Sequence, residues 1–144
     1  MVALLDVNVL VALFDPTHTH HEPAHHWFER ERRFGWATCP ITENGLVRVI
    51  SNPSYPGRQI AVQDAVNRLR SFRLSGDHTF WPDAVSICSP EIFRPGTIGG
   101  YRKLTDLYLL ALAVENQGRI ATFDRSIPLS AAVNAEAQNL TTIG

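Results

Sequence analysis

Met1–Phe14 reads MVALLDVNVLVALF, an apolar run broken by one acid, Asp6, and one amide, Asn8. Val2 to Leu5 is short, apolar and branched, which predicts a buried strand. Asn8 is then expected to cap a helical turn, with Val9, Leu10, Ala12 and Leu13 continuing the apolar surface. An acid at the point where a buried strand passes into a helix is costly unless something positive meets it. A metal ion fits that role if Glu43, Asp106 and Asp124 are brought to the same place.

Outward from this start, the chain alternates. Asp15-Pro16 is a turn, and Pro23 suits the first turn of a helix reaching about Phe34, with Ala24, Trp27 and Phe28 inward. Arg30, Arg32 and Arg33 lie at its end, where cations favour the helix dipole, and Gly35 is a stop. Trp36 to Cys39 reads as a strand. Thr42 is expected to cap a helix from Glu43 to about Ser51. Asn52 to Gly57 is a loop. Ile60 to about Phe72 places Val62, Ala65, Val66 and Leu69 at helical spacing. Phe80 to Ile87 is expected as a strand with Pro82 at an edge or bend.

Arg94 to Gly100 is a glycine-rich loop, and Thr105 is expected to cap a helix from Asp106 to Asn116. Leu107 to Val114 (LYLLALAV) is apolar nearly all round, so this helix is expected to meet the sheet on one side and a second subunit on the other. Arg119 to Phe123 reads as a strand with Asp124 directly after it, Ser130 to Gln138 as a short helix, and Leu140 to Ile143 as a last strand. Strands alternating with helices predict a parallel α/β sandwich. In such sheets ligands gather beyond the carboxyl ends of the strands, where the strand order reverses. Asp6 and Asp124 follow strands and Glu43 and Asp106 open helices, so all four fall on that edge.

Composition narrows the class. The 144 residues, 44% of them hydrophobic, suit one domain over 1–144 with a real core and exclude a disordered chain. No apolar run is long enough to span a bilayer, and the N-terminus carries no basic region or cleavage site, so a cytoplasmic protein without a signal peptide is expected. Cys39 and Cys88 make no CxxC and are expected to be reduced and buried. The net charge of −1 does not announce a nucleic-acid binder, although twelve of the thirteen basic residues are Arg, whose forks suit phosphate. A G+C-rich coding bias would give the same excess.

Each acid alone has an ordinary explanation. Glu43 and Asp106 favour their helix dipoles, Asp124 suits a turn, and Asp6 would pair with an Arg. Together they are harder to dismiss. Two carboxylates about 4 Å apart repel by roughly 4 kcal/mol at an effective dielectric near 20, so four need protons or cations. An all-oxygen set favours Mg²⁺ or Mn²⁺ over Zn²⁺, and carboxylate-held Mg²⁺ completes its shell with water and phosphate oxygens. That chemistry points to phosphoryl transfer to water.

At these positions the chain resembles the PIN domains, and most closely the VapC-type ribonuclease toxins of bacterial toxin–antitoxin pairs. The resemblance rests on LLDVNVLVAL at the start, CPITENGLVRVISNP around Glu43, YRKLTDLYLLALAVENQGRIATFDR around Asp106 and Asp124, and FWPD at 80–83. It implies a three-layer α/β/α sandwich with a central parallel sheet, and a Mg²⁺-dependent endoribonuclease in which Mn²⁺ substitutes. Asp6, Asp106 and Asp124 would be metal ligands, and Glu43 the remaining acid, ligating directly or through water. Asn8 and Thr122 would hold carboxylates in place by hydrogen bonds. Ser126 stands where some relatives carry a further acid, which bears on a second ion. The resemblance also implies RNA cleavage to a 5′-phosphate and a 3′-hydroxyl, a homodimer, and a small VapB-like antitoxin whose C-terminal segment covers the acidic pocket.

Arg48, Arg102, Lys103 and Arg125 lie near the acids in sequence and are candidates for RNA phosphate contacts, against the reading of ordinary surface charge. The stretch THTHHEPAHH sets His21 and His25 four apart with His18 and His20 upstream. It lacks Cys partners and Pro23 interrupts it, so a polar loop and helix start is preferred to a transition-metal site. Two rival functions stand. A haloacid-dehalogenase-like phosphatase with Asp6 as nucleophile would want an acid where Asn8 stands. A non-catalytic PIN-like module would bind RNA or a partner without cutting.

Overall fold

The computed structural model describes residues 1–57 and 59–144. Among these, five three- or four-residue strands form one wholly parallel sheet in the order β3-β2-β1-β4-β5: β1 (Ala3–Leu5), β2 (Trp36–Thr38), β3 (His78–Phe80), β4 (Arg119–Thr122) and β5 (Leu140–Thr142). The first stretch supplies the central strand. Its period-two alternation divides the core. Ala3 and Leu5 face one side with Trp36 and Ala121, while Leu4 faces the other with Ala37 and Ile120.

Four helices cover the first face: α1 (Val7–Phe14), α2 (His21–Glu31), α3 (Pro40–Ile50) and α4 (Val62–Arg73). Helices α1 and α3 cross at Gly45, where even a Cβ would stand 2.5 Å from the Val7 Cγ2 methyl carbon. The second face is packed by α5 (Leu104–Glu115), whose Leu107, Leu109, Leu110 and Leu112 are fully buried. The outer side of α5 is not left for a second subunit. Val85, Phe93, Ile127, Ala131 and Ala132 of the same chain close over it, and Phe93 stacks on Tyr108 with ring centroids 6.2 Å apart. The layers are therefore α/β/α.

The helix starts lie earlier than the cap residues suggest. Asp6, not Asn8, caps α1, accepting the Val7 N–H at 2.8 Å. Helix α3 starts at Pro40, with Thr42 buried inside its first turn, where its hydroxyl accepts the Cys39 N–H. Helix α5 grows out of a 3₁₀ turn at Tyr101–Lys103, so Thr105 is already helical. Helix α2 ends at Glu31 and passes into a 3₁₀ turn, Arg32–Phe34, stopped by Gly35 at φ +95°.

Residues 81–87 are not a strand. The Trp81 N–H makes one more ladder bond, to Thr38 O at 2.8 Å, and regular pairing ends there. Residues 130–138 are not a helix but two 3₁₀ turns, Leu129–Ala131 and Ala137–Asn139, joined through Asn134 in the left-handed region. Cys39 is buried as expected, whereas Cys88 is exposed in the 81–92 segment. No helix among the described residues is long and apolar enough to cross a membrane.

Candidate active site

Strands β2 and β3 extend the sheet to one side of β1, and β4 and β5 to the other. The chain therefore reverses its direction of sheet growth between β1 and β4, and a crevice opens beyond their carboxyl ends. Asp6 follows β1 there, and Asp124 lies two residues beyond β4. Helix α5 returns antiparallel to the strands, so its first turn, carrying Asp106, reaches the same edge.

Asp6 is 7% exposed and held on both oxygens. Oδ1 accepts the Val7 N–H, and Oδ2 accepts the Thr122 hydroxyl at 2.8 Å. Thr122 also accepts the Asp124 N–H at 3.1 Å, so one side chain ties two of the acids together. Asn8 is exposed in the first turn of α1. Burial pushes the Asp6 carboxyl above the usual carboxylate range, the two hydrogen bonds oppose the shift, and the Asp124 charge adds to it.

Asp106 is pushed up to about 6, first by desolvation, then by the charges of Asp6 and Asp124. Its carboxyl and that of Asp124 lie close enough to share a proton, Asp106 donating. Asp124 is held far below the usual range. Its Oδ2 accepts from Lys103 Nζ at 2.6 Å, and its Oδ1 accepts the Ser126 N–H at 2.8 Å and the Ser126 hydroxyl at 2.6 Å. Lys103 also donates to Ser126. Ser126 thus steadies Asp124.

Glu43 opens α3 on the same edge but is engaged elsewhere. Its Oε2 accepts the Thr38 hydroxyl at 2.7 Å and pairs with Arg73 Nη1 at 3.1 Å. Because Thr38 spends its one proton on Glu43, it must accept from His78 Nε2, 2.7 Å away. His78 suits this as a neutral donor, since burial and Arg73 lower its pKa to about 4. None of the shifts at the three aspartates comes from Glu43. Three acids thus feel one another, and the fourth stands beside them in its own network.

Among the described residues, no three His, Cys, Asp or Glu side chains converge as a finished ligand cage. The donor set nevertheless fits a hard divalent cation. It is all oxygen, it is mutually repelling, and it keeps a proton on Asp106 to about pH 6 in place of a second positive charge. The other sequence candidates are scattered. Arg48 and Arg125 are exposed, Arg102 lies 5.9 Å from the Tyr101 ring centroid, and Lys103 is taken up by Asp124. In the histidine stretch, His21 Nδ1 bonds Ala12 O at 2.7 Å, and His25 and His26 pair with Glu29 and Glu22 along α2, as a helix start would. Arg73, Thr38 and His78 carry no sequence signal, because strand pairing and the α3–α4 packing bring them to Glu43.

Fold and site together define a class: an α/β/α sandwich with a carboxylate centre at its switch point. The chain matches the PIN domain family model over residues 3–132 and belongs to that family. It is 46% identical over 143 residues, covering 99% of its own length and 100% of the relative's, to Ribonuclease VapC44 of Mycobacterium tuberculosis (strain ATCC 25618 / H37Rv). Ribonuclease VapC39 of the same strain is 42% identical over 132 residues, 92% of this chain and 95% of the relative. Ribonuclease VapC38 is 43% identical over 126 residues, 88% and 87%.

Proposed function

We propose that this chain is an endoribonuclease toxin of a VapBC pair, dependent on Mg²⁺ with Mn²⁺ as a substitute, and that Asp6, Asp106, Asp124 and Glu43 form its metal-binding and catalytic set. The observation that carries the reading is the convergence of Asp6, Asp106 and Asp124 at the switch point, where burial first, and then the charges of Asp6 and Asp124, push Asp106 up to about 6. Relatives of near-equal length named as ribonucleases support the same reaction.

Asp6, Asp106 and Asp124 would hold the ion, which when bound supplies an activated water and stabilises the charge that develops on the phosphate. Thr122 and the Val7 N–H fix both oxygens of Asp6, so its carboxylate does not rotate as charge moves nearby. Asp106 would have to release its proton to hold the ion, so ion binding competes with the proton that burial favours there. Lys103 and Ser126 keep Asp124 ionised and oriented. Glu43, held by Thr38 and Arg73, would be the remaining acid, reaching the ion directly or through water. Hydrolysis of the phosphodiester leaves a 5′-phosphate and a 3′-hydroxyl. A VapB-like antitoxin, a homodimer, and action in the cytoplasm complete the proposal.

The test is cleavage of a mixed cellular RNA pool by purified protein with Mg²⁺, with Mn²⁺ and with EDTA, beside Asp106→Ala. Cuts at a few sites that vanish in EDTA and in the variant are expected. Hydrolysis of a small phosphate ester with no RNA cleavage would overturn the reading in favour of a phosphatase. RNA binding without cleavage would leave a binding module.

A further inference from the structure

Lys103 is the one lysine in a chain with twelve arginines. It stands at the N-terminal cap position of α5, where a cation opposes the helix dipole. The helix therefore gives no reason for a lysine there, and Asp124 does. Nζ donates to Asp124 Oδ2 at 2.6 Å and to the Ser126 hydroxyl. That hydroxyl passes its own proton to Asp124 Oδ1 at 2.6 Å, and the Ser126 N–H reaches the same oxygen at 2.8 Å. Lys103, Ser126 and Asp124 thus close a ring in which every donor has a fixed direction.

The ring limits what Asp124 can offer a metal ion. A carboxylate has about four acceptor positions, two on each oxygen. Oδ1 gives both of its positions to Ser126, and Oδ2 gives one to Lys103, which leaves a single position. Charge leads to the same limit. Asp6, Asp106 and Asp124 bring three negative charges that act on one another. Lys103 acts on both Asp124 and Asp106 and cancels one of the three. Glu43 already has a cation of its own in Arg73, 3.1 Å away. Two negative charges remain, the complement of one divalent ion.

We propose that Lys103 is a built-in cation in the role of a second metal ion, so that the aspartate cluster of this chain takes one divalent ion and no more. The inference rests on the metal-dependent reading and deepens it. Lys103 is a positioning residue here: it fixes Asp124 and sets the charge that the ion meets. Unlike a second ion, the ammonium is covalently part of the chain and does not leave in EDTA.

The probe is Mn²⁺ alone, counted by loss of the free-ion EPR signal as it is titrated into metal-free protein at pH 7.5. Wild type is compared with Lys103→Met, Lys103→Gln and Lys103→Arg. Wild type is expected to take up one ion per chain. Both neutral variants should bind that ion roughly tenfold more tightly, because an adjacent positive charge is gone, and should take up a second. Lys103→Arg keeps the charge and should stay at one ion with the wild-type affinity. Thermal unfolding in EDTA checks that each variant is folded, and Lys103→Gln retains a donor for Asp124 should Lys103→Met fold poorly. A merely structural role for Lys103 would move the unfolding temperature and leave the ion count at one throughout. Two ions of similar affinity in wild type overturn the inference. So do neutral variants that match wild type in ion count and affinity, or Lys103→Arg behaving as Lys103→Met does. Two ions in a wild type that still cleaves RNA only with metal refute the inference alone, whereas a wild type that binds no Mn²⁺ refutes the metal-dependent reading and the inference with it.

Discussion

Replacing Asp106 with Asn should make the metal-free protein more stable while removing its activity. Asp106 ordinarily titrates near 3.8, but in the fold only at about 6. The native state therefore binds a proton that the unfolded chain has already lost, and stability falls as pH rises from about 4 to about 6. Above that range the ionised carboxylate is a constant burden. A shift of about two units corresponds to about 3 kcal/mol at 1.36 kcal/mol per unit, and solvent screening of this half-buried group lowers it to about 1.5–3 kcal/mol. For a chain of this size that is about 4–10 °C in Tm. Asn is nearly isosteric, carries no charge, and its amide still donates to Asp124. Calorimetry in EDTA at pH 7.5 should show the gain, and at pH 4.5 it should shrink to roughly a third, because the wild-type carboxyl is then protonated in the fold. Mg²⁺ should raise the Tm of wild type more than that of the variant. A variant no more stable than wild type at pH 7.5, or equally stabilised at both pH values, would refute the account of Asp106.

Two further substitutions probe the frame around the site. Thr122→Val removes the hydroxyl that Asp6 accepts and leaves the Asp124 N–H unpaired, so urea denaturation should show a loss of about 1.5–3 kcal/mol, with Thr122→Ser retaining most of the stability. Gly45→Ala drives a methyl into Val7 and should cost about 1–3 kcal/mol by the same measurement. Made in a Val7→Ala background the cost should fall, and a purely additive double-mutant cycle would contradict the close α1–α3 crossing.

Strands β1 and β4 and helix α5 were legible because each is an apolar run of the right length with an acid at a defined end. From those ends the edge carrying Asp6, Asp106 and Asp124 follows directly. Helix starts were displaced because capping chemistry is abundant near them. Asn8 and Thr42 look like caps, yet Asp6 takes the first role and Thr42 works from inside the turn. The 80–87 segment has the branched and aromatic residues of a strand, yet its pairing with β2 ends at Trp81. The burial of α5 on both sides was visible, but not what covers it, since the 81–98 and 127–132 segments have no periodicity to announce them. The Glu43–Arg73–Thr38–His78 network was illegible because it neither lies within one element nor follows a repeat.

The bond between Thr122 and Asp6 joins residues 116 apart in the chain, and β1 sits between β2, made early, and β4, made late. Contacts of that span form only when both partners exist. On the ribosome, Asp6 emerges first and waits beside an incomplete sheet until residues 119–124 arrive and fill the gap. A nascent chain shorter than that has no aspartate cluster, however well its first four helices pack. The order of strands in the sheet thus sets a time during synthesis before which the site does not exist, and a chain abandoned before Asp124 is released without one.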